Sequence, residues 1–402
     1  MRPAVPRPTW PPVGNSDPEE FWQLVRAQYP LTRERVYFNT GGLGPAPYPV
    51  LDVLHRTTLE LQAISEHGHQ QFEEARETVA AFLGAKPSEI AFTRNATEGN
   101  STVASGLQTM GPGDEVIFES HAHPGGSEAW LSRQKQQGIK VKIFEPDPTS
   151  AVGNLERIAA LITPRTRVIQ VSHITAPTGI RFPVEDIARL AHDRNIWFHI
   201  DGAQSAGMIP VDLRAIGCDS YATSCHKWMG ASHGTGVLFV REERLDEVAP
   251  TEVGAYSDDG YHLPDSLTYN PTAQRYEPGT RDAAQVLGIV AAARFMDDIG
   301  MERVAAYGQS LARHLQDALL QIPGVTVLTP RDPALSASIT TYKTDRVPYD
   351  KLFSYLMSEH KMRCRVVTER GLDALRVSTH IFNSMEECDQ LVEGTKEVLS
   401  KA

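Results

Sequence analysis

The chain has 402 residues, of which 41% are hydrophobic and 22% charged, the proportions of a globular protein with a sizeable core. A net charge of −11 opposes binding to the phosphate backbone of nucleic acids. Four cysteines without CxxC spacing exclude a disulfide scaffold and predict no metal centre. The proline-rich start lacks a signal-peptide core, and no apolar run reaches the roughly 18 residues of a membrane helix. We therefore expect a cytoplasmic protein with neither a membrane nor a nucleic-acid partner.

Residues 1–35 are predicted to form an N-terminal arm and one short helix. After a short strand at 36–39, the chain breaks in the glycine-rich loop 40–45 and then alternates between helices and strands. The predicted strands that follow are 89–93, 115–119, 141–144, 168–172, 196–200, 219–223 and 236–240. Strands separated by helices predict a large α/β domain over 36–281, built on a mostly parallel seven-stranded sheet.

The pattern changes in the last third of the chain. The stretch 250–280 is predicted to be a long loop, and loops of that length in compact domains are usually functional. Two long helical patterns follow at 282–296 and 302–320, and short strands then alternate with helices. This change predicts a smaller C-terminal α+β domain over 282–402.

The residues that follow the predicted strands are unusual as a set, and ligands of α/β sheets lie beyond the carboxyl ends of the strands. Ala96 and Thr97 open a helix whose free N–H groups suit an anion, although such a loop taken alone is usually only a cap. His123 precedes Pro-Gly-Gly. Its imidazole could stack on a heteroaromatic ring or could simply be solvated.

Two ionisable residues carry most of the chemical prediction. Asp201 ends a buried apolar strand, so it must cap a helix or hold a buried cation such as a protonated pyridine nitrogen. Lys227 lies among small and apolar residues, and burial lowers the pKa of an amine, which makes it a nucleophile toward an aldehyde. Ser224, three residues earlier, could bind a phosphate.

Each of these features alone is weak, but together they match the needs of pyridoxal 5'-phosphate (PLP). The helix start and Ser224 would bind its phosphate, and His123 would stack on its ring. Asp201 would keep the ring nitrogen protonated, and Lys227 would hold the aldehyde as a Schiff base. The sequence therefore predicts a PLP enzyme.

The chain resembles the class V aminotransferase family of fold-type-I PLP enzymes, which includes cysteine desulfurases, kynureninase, isopenicillin N epimerase and carbon–sulfur lyases. The resemblance runs from about residue 37 to about residue 392, and its most specific motifs are 199–205 and 224–228. It implies the fold-type-I PLP-dependent transferase fold and a homodimer with shared active sites.

The resemblance also implies roles for further residues. Gln204 is expected to bond the phenolic oxygen of the cofactor, and His226 is expected to lie beside the phosphate. Thr280, in a Gly-Thr segment, is expected to reach the phosphate in the neighbouring subunit. Arg376 is expected to bind the α-carboxylate of a small amino-acid-type substrate, because its planar fork meets a carboxylate bidentately, with Asn39 as a second substrate contact.

Several reactions stay open. The stretch 172–179 resembles the isopenicillin N epimerase branch, with Ala176 where cysteine desulfurases carry Asn. Cys364 is the only candidate for the nucleophile of a desulfurase, and it is predicted to be a small buried cysteine at a strand end. We expect Lys227 to remove the Cα proton of an amino acid or amino-acid conjugate. The outcome would be epimerisation or loss of a Cβ substituent, with an aminotransferase or a cysteine desulfurase as alternatives.

A PLP-dependent regulator or a degenerate binding protein is a further alternative, from a different functional class. A regulator would carry a helix-turn-helix domain and a basic patch, and the sequence shows neither. Degeneration would remove Lys227 or Asp201, and both are present. The sequence therefore favours an enzyme.

Overall fold

The computed structural model describes residues 18–401, so the first 17 residues of the predicted N-terminal segment 1–35 lie outside the described residues. The helices are α1 (Pro18–Arg26), α2 (Tyr48–Ile64), α3 (Phe72–Leu83), α4 (Ala96–Gly106), α5 (Pro124–Gln137), α6 (Ala151–Leu161), α7 (Val184–His192), α8 (Leu213–Ile216), α9 (Ala283–Ile299), α10 (Met301–Leu319), α11 (Tyr349–Glu359) and α12 (Met385–Ser400). Within the described range, none of them has both the length and the apolar character that crossing a membrane requires.

The strands are β1 (Val36–Tyr37), β2 (Ile90–Thr93), β3 (Glu115–Glu119), β4 (Lys140–Phe144), β5 (Thr166–Ser172), β6 (Trp197–Asp201), β7 (Ser220–Ser224), β8 (Gly236–Val240), β9 (Asp258–His262), β10 (Ser266–Tyr269), β11 (Val325–Val327), β12 (Ile339–Thr344), β13 (Met362–Arg363), β14 (Arg365–Val367) and β15 (Ala374–Ser378). The strands predicted between residues 89 and 240 are all present, with ends that differ by no more than two residues.

Seven strands form the central sheet, in the order β2-β8-β7-β6-β5-β3-β4. The strands from β7 to β4 pair in parallel, whereas β8 is antiparallel to both of its neighbours. The predicted mostly parallel seven-stranded sheet is therefore confirmed. Because β3, β5, β6 and β7 run in the same direction, their carboxyl ends lie at one edge of the sheet, where ligands of α/β folds bind.

Helices cover both faces of this sheet, and alternate side chains of a strand join different clusters. In β6, Phe198 packs in one cluster with Leu83 of α3, whereas Trp197 packs in the other with Trp130 of α5. All five residues of β6 are buried. A strand covered on both sides is mostly apolar, which explains why it was recognisable in the sequence.

A second, antiparallel sheet has the strand order β11-β12-β15-β14 and packs with α10, α11 and α12. The short strand β1 pairs in parallel with β13, and Asn39 forms a β-bridge with Ser378. The segment before the glycine-rich loop is thus joined to strands near the C-terminus. The division of the chain into domains at 281–282 stays a prediction.

The stretch 250–280 is not one long loop, so this prediction was wrong. It contains an antiparallel hairpin, β9–β10, followed by the short helical turn Ala273–Tyr276. Almost every residue of the two strands is exposed, and Leu263 at the tip is 87% exposed. A hairpin without a buried face has no alternation of apolar and polar residues, so the sequence pattern could not reveal it.

A buried ion pair fixes the segment that follows the hairpin. Nη1 of Arg76, on α3, donates to Oε1 of Glu277 at 2.5 Å, and Nη2 donates to Oε2 at 3.0 Å. The two side chains are only 5% and 3% exposed. Oε1 of Glu277 also accepts the backbone N–H of Phe92 at 2.6 Å. The carboxylate therefore ties this segment both to a helix and to the edge strand β2.

We expect Glu277→Ala to lower the free energy of unfolding by about 3–5 kcal/mol, because it leaves the guanidinium of Arg76 buried without a counter-ion. Urea denaturation followed by tryptophan fluorescence would measure the loss. The control is Asp317→Ala, which breaks the exposed ion pair with Arg331 and should cost less than about 1 kcal/mol. Equal, small losses in the two variants would contradict this account of the buried pair.

Candidate active site

A cavity of about 270 Å³ lies at the carboxyl ends of β6 and β7 and at the N-termini of α4 and α5. Every predicted site residue except Asn39 and Thr280 lines this cavity. The predicted residues that it brings together are Ala96, Thr97, His123, Asp201, Gln204, Ser224, His226, Lys227 and Arg376.

One corner of the cavity is built to receive an anion. The backbone N–H of Ala96, the first residue of α4, donates to Oγ of Ser224 at 2.9 Å. That hydroxyl accepts in this bond, so its own proton is free to be donated. Thr97 Oγ1 lies so close to Gly125 of α5 that any side chain at 125 would collide with it. Two hydroxyls and a helix N-terminus therefore converge, and helix N-termini attract negative charge.

The backbone of Lys227 is held by the glycine-rich loop. Gly44 N donates to the carbonyl of His226 at 2.8 Å, and a side chain at 44 would collide with the carbonyl of Lys227. Burial lowers the pKa of the Lys227 amine to about 8; Asp201 opposes this shift and the nearby arginines reinforce it. The amine is therefore neutral, and nucleophilic, in a large fraction of molecules only slightly above neutral pH.

Asp201 ends β6, is 5% exposed and accepts the N–H of Ala203 on Oδ1 at 3.1 Å. A Cβ atom at Gly126 would lie 2.8 Å from Oδ2, so the glycine leaves that oxygen unobstructed. The carboxylate is thus available to hold a cationic ring nitrogen.

A second carboxyl group, on Glu119 at the end of β3, was not predicted from the sequence. It is fully buried, and Oε1 accepts the N–H of Ser172 at 3.0 Å. Oε2 has no hydrogen-bond partner among the described residues. Burial raises the pKa of Glu119 to about 7, and the charge of Asp201 adds to this effect.

Hydrogen bonds set the orientation of both predicted histidines. Nδ1 of His123 accepts the N–H of Gly125 at 3.0 Å and so caps α5. Nδ1 of His226 donates to the carbonyl of Thr235 at 2.9 Å, because a carbonyl can only accept. Burial lowers the pKa of both imidazoles, which favours their neutral forms.

Gln204 has a defined amide orientation. Its Oε1 accepts the indole N–H of Trp228 at 2.8 Å, and an indole can only donate. Its Nε2 donates to the carbonyl of Gly41 at 2.9 Å. Nε2 carries two protons, so one remains for an acceptor in the cavity, such as the phenolic oxygen of PLP.

Arg376, on β15, is 1% exposed and makes no ion pair with a carboxylate among the described residues. Nη1 donates to the carbonyl of Ala176 at 2.9 Å, and Nη2 donates to Oδ1 of Asn39 at 3.0 Å. Nε has no partner. Burial lowers the pKa of Arg376 to about 9, and Arg365 adds to this effect. Asn39 therefore positions the arginine, and the guanidinium suits an anionic ligand.

The structure does not bring Thr280 into the same cavity. Thr280 is exposed and lines a separate cavity with Arg94 and Thr235. The backbone N–H of Arg281 donates to Nε2 of His69 at 3.0 Å, and Gly279 N donates to the carbonyl of Ala255 at 2.7 Å. Thr280 is thus held in place by its neighbours and does not line the Lys227 cavity of its own chain.

Several lining residues were missed by the sequence analysis. They are Gly41, Gly42, Asn95, Asn100, Gly125, Ala203 and Arg365, together with Ala176, which was noted only as a family difference. The glycine-rich loop 40–45 could have suggested Gly41 and Gly42, and the start of α4 could have suggested Asn95. Arg365 could not be found in this way, because its place in the cavity depends on the pairing of β14 with β15.

None of the four cysteines lines the cavity, and all four are buried. Burial raises the pKa of the Cys364 thiol to about 12, and it also raises the pKa of the other three thiols. The prediction that Cys364 is a small buried cysteine is confirmed. A thiol in this state is a poor nucleophile.

The donor set fits a flat, phosphorylated aldehyde: an anion-binding corner, a carboxylate for a ring nitrogen and an amine of lowered pKa share one cavity. The protein-family model described as Aminotransferase class-V matches residues 53–391. The isopenicillin N epimerase of Amycolatopsis lactamdurans is 30% identical over 94% of this chain and 98% of its own.

Solved structures of PLP-dependent enzymes have the same fold as this chain. The apo cysteine desulfurase from Thermococcus onnurineus NA1 has a TM-score of 0.85 at 25% identity, covering 96% of this chain and 98% of its own. The cystine C-S lyase C-DES, in complex with its product cysteine persulfide, has a TM-score of 0.84 at 26% identity, covering 92% and 99%. The predicted fold-type-I fold is confirmed. The chain belongs to the aminotransferase class-V family and is a PLP-dependent enzyme.

Proposed function

We propose that the protein removes the Cα proton of an amino acid, with Lys227 as the base and Arg376 as the site of the α-carboxylate. One observation carries this proposal. The same cavity is lined by a lysine whose pKa is lowered to about 8 and by a buried arginine that pairs with no carboxylate of residues 18–401. The lysine can accept a proton near neutral pH, and the arginine needs an anion.

The residues around Lys227 would hold the cofactor. The hydroxyls of Thr97 and Ser224, at the N-terminus of α4 that begins at Ala96, would bind the phosphate, with His226 beside it. Asp201 would pair with the protonated ring nitrogen. His123 would lie against the ring, and Gln204 would donate to the phenolic oxygen. When bound, PLP draws electrons away from the Cα of the substrate and makes its proton acidic.

Loss of a Cβ substituent is the first candidate reaction. It needs a single base, and Lys227 is the lining residue best suited to that task. A carbon–sulfur lyase among the structural relatives favours it. Sulfur transfer to a protein thiol is not proposed, because no cysteine reaches the cavity.

Epimerisation is the second candidate, favoured by the sequence relative from Amycolatopsis lactamdurans and by Ala176. It requires a proton to be delivered to the opposite side of Cα. His123 lines the cavity and could supply this proton, but burial lowers the pKa of its imidazole, which disfavours the protonated, acidic form. The balance therefore favours the lyase.

We further propose a homodimer in which Thr280 serves the cavity of the neighbouring subunit. The support is that Thr280 is exposed, is flanked by backbone hydrogen bonds and does not line its own Lys227 cavity. The exposed hairpin nearby presents Tyr261, Leu263 and Leu267, an apolar surface that a second copy of the chain would cover.

A cytoplasmic location is proposed on the state of the thiols. All four cysteines are free and buried, which is the usual condition in a reducing compartment. Partition of the native protein between cell fractions would test this location.

We expect the apo-protein to take up PLP with a visible absorption band, at a rate that rises with pH through about 8 and then levels off. Lys227 attacks the aldehyde only when its amine is neutral, and its pKa is about 8. Stopped-flow absorbance would measure the rate. Lys227→Ala should lack the band, whereas Lys135→Ala, an exposed change on α5, should behave like the wild type. A rate independent of pH would contradict the assigned role of the lysine.

A panel of L-amino acids with Cβ leaving groups, including L-cystine, should give pyruvate and ammonia with the purified holoenzyme. We expect Cys364→Ser to keep most of this activity, because the thiol is buried and protonated. Arg376→Lys keeps the charge but loses the fork, and should lower kcat/KM at least about tenfold, or roughly 1.4 kcal/mol.

Products other than pyruvate and ammonia would identify a different reaction. A D-amino acid without pyruvate would establish epimerisation, and a keto acid that retains its Cβ substituent would establish transamination. An inactive Cys364→Ser variant, together with a persulfide on Cys364 by mass spectrometry, would establish a desulfurase.

Mixed dimers should show whether Thr280 acts across the subunit boundary. Thr280→Ala alone should weaken PLP binding by about 1–2 kcal/mol, the contribution of one hydrogen bond to a charged group. A heterodimer of Thr280→Ala and Lys227→Ala chains should recover one wild-type site, because both changes then fall in the other site. If Thr280 acts within its own chain, no wild-type site forms and the weaker binding persists.

A further inference from the structure

Arg365 and Arg376 form a pair of facing cations in the cavity. The antiparallel register of β14 and β15 places Arg365 directly opposite Arg376, and both residues line the cavity. Cβ atoms of opposite residues in such a pair lie about 4.5–5.5 Å apart, and their side chains share one face of the sheet. Like charges in this position repel, so a nearby anion stabilises each of the two guanidinium groups.

A substrate α-carboxylate supplies one negative charge, which leaves the second guanidinium to be neutralised. In the structure, Nη2 of Arg365 makes an ion pair with Oε1 of Glu369. Nη1 of Arg365 is buried and has no hydrogen-bond partner among the described residues. Half of the guanidinium fork is therefore free, on a residue that lines the same cavity as the proposed base, Lys227.

Glu369 belongs to a short turn whose backbone is strained. The turn links β14 to β15, and it contains Arg370 at φ 56° and Asp373 at φ 48°, in the left-handed region that non-glycine residues seldom adopt. Glu369 itself is exposed to an intermediate degree. The carboxylate of Glu369 can therefore move from Arg365 into solvent when another anion binds Arg365. This movement leaves the buried core unchanged, because Glu369 is not part of it.

We propose that Arg365 binds a second anionic group on the substrate side chain, and that the carboxylate of Glu369 occupies this position when no substrate is bound. The substrate class is then an α-amino acid whose side chain carries a second negative charge. This inference rests on the proposed function, since Arg376 must take the α-carboxylate for Arg365 to meet the side chain. Arg365 acts as a specificity-determining residue, with Glu369 as its internal competitor.

Spectral titration of the PLP-loaded enzyme with matched pairs of amino acids tests the proposal. The carboxylate pair is L-aspartate and L-asparagine. The sulfinate pair is L-cysteine sulfinate and the neutral S-methyl-L-cysteine sulfoxide. In at least one pair, the acidic member should bind the wild type at least tenfold more tightly, and the pair that shows the preference identifies the acidic group.

Three variants assign the preference to Arg365. Arg365→Gln should bring the ratio of acidic to neutral affinity close to one, and Arg365→Lys, which keeps the charge without the fork, should give an intermediate ratio. Glu369→Gln should raise the ratio at least threefold, because it removes a competing charge. Arg346→Gln, at an exposed arginine that does not line the cavity, should leave the ratio as in the wild type.

Two results would overturn the inference alone: a ratio near one for both pairs in the wild type, or a preference that persists in Arg365→Gln. In either case the amino acids still bind, so the proposed function stands. The absence of a spectral response to every amino acid, neutral or acidic, would instead overturn the proposed function and this inference with it.

Discussion

The burial of the Arg376 guanidinium is the constraint on which the rest of the site depends. A buried charge is costly unless polar groups surround it, and here those groups come from distant parts of the chain. Ala176 follows β5 of the central sheet, Asn39 precedes the glycine-rich loop, and Arg376 itself lies in the second sheet. Two hydrogen bonds to one side chain thus bring three segments together at the cavity wall.

The same electrostatics order the rest of the cavity. Lys227 and the two arginines repel one another, while Asp201 opposes the lowering of the pKa of the lysine. Glu119 lies further inside, where burial brings its pKa to about 7, so it adds less than a full negative charge near Asp201 at neutral pH. Positive charge therefore lies toward the second sheet, and the carboxyl groups lie at the ends of β3 and β6.

The sequence predicted those site residues whose role follows from their position at the end of a recognisable strand. Asp201 and Ser224 end strands that are buried on both faces, so the strands and the residues after them were recognisable together. Arg365 and Glu119 could not be assigned, because the role of each comes from a partner on another strand. The hairpin β9–β10 escaped prediction because neither of its faces is buried within one chain.

The joining of β1 to β13 has a consequence for the synthesis of the protein. A chain made from its N-terminus exposes residues 36–44 long before residues 362–378, their partners in the second sheet, have left the ribosome. The central sheet can form during that interval. Arg365 and Arg376, which line the cavity with Lys227, emerge after all seven strands of the central sheet. A chain interrupted between the two sheets can therefore hold a folded central sheet and still lack the two arginines of its site.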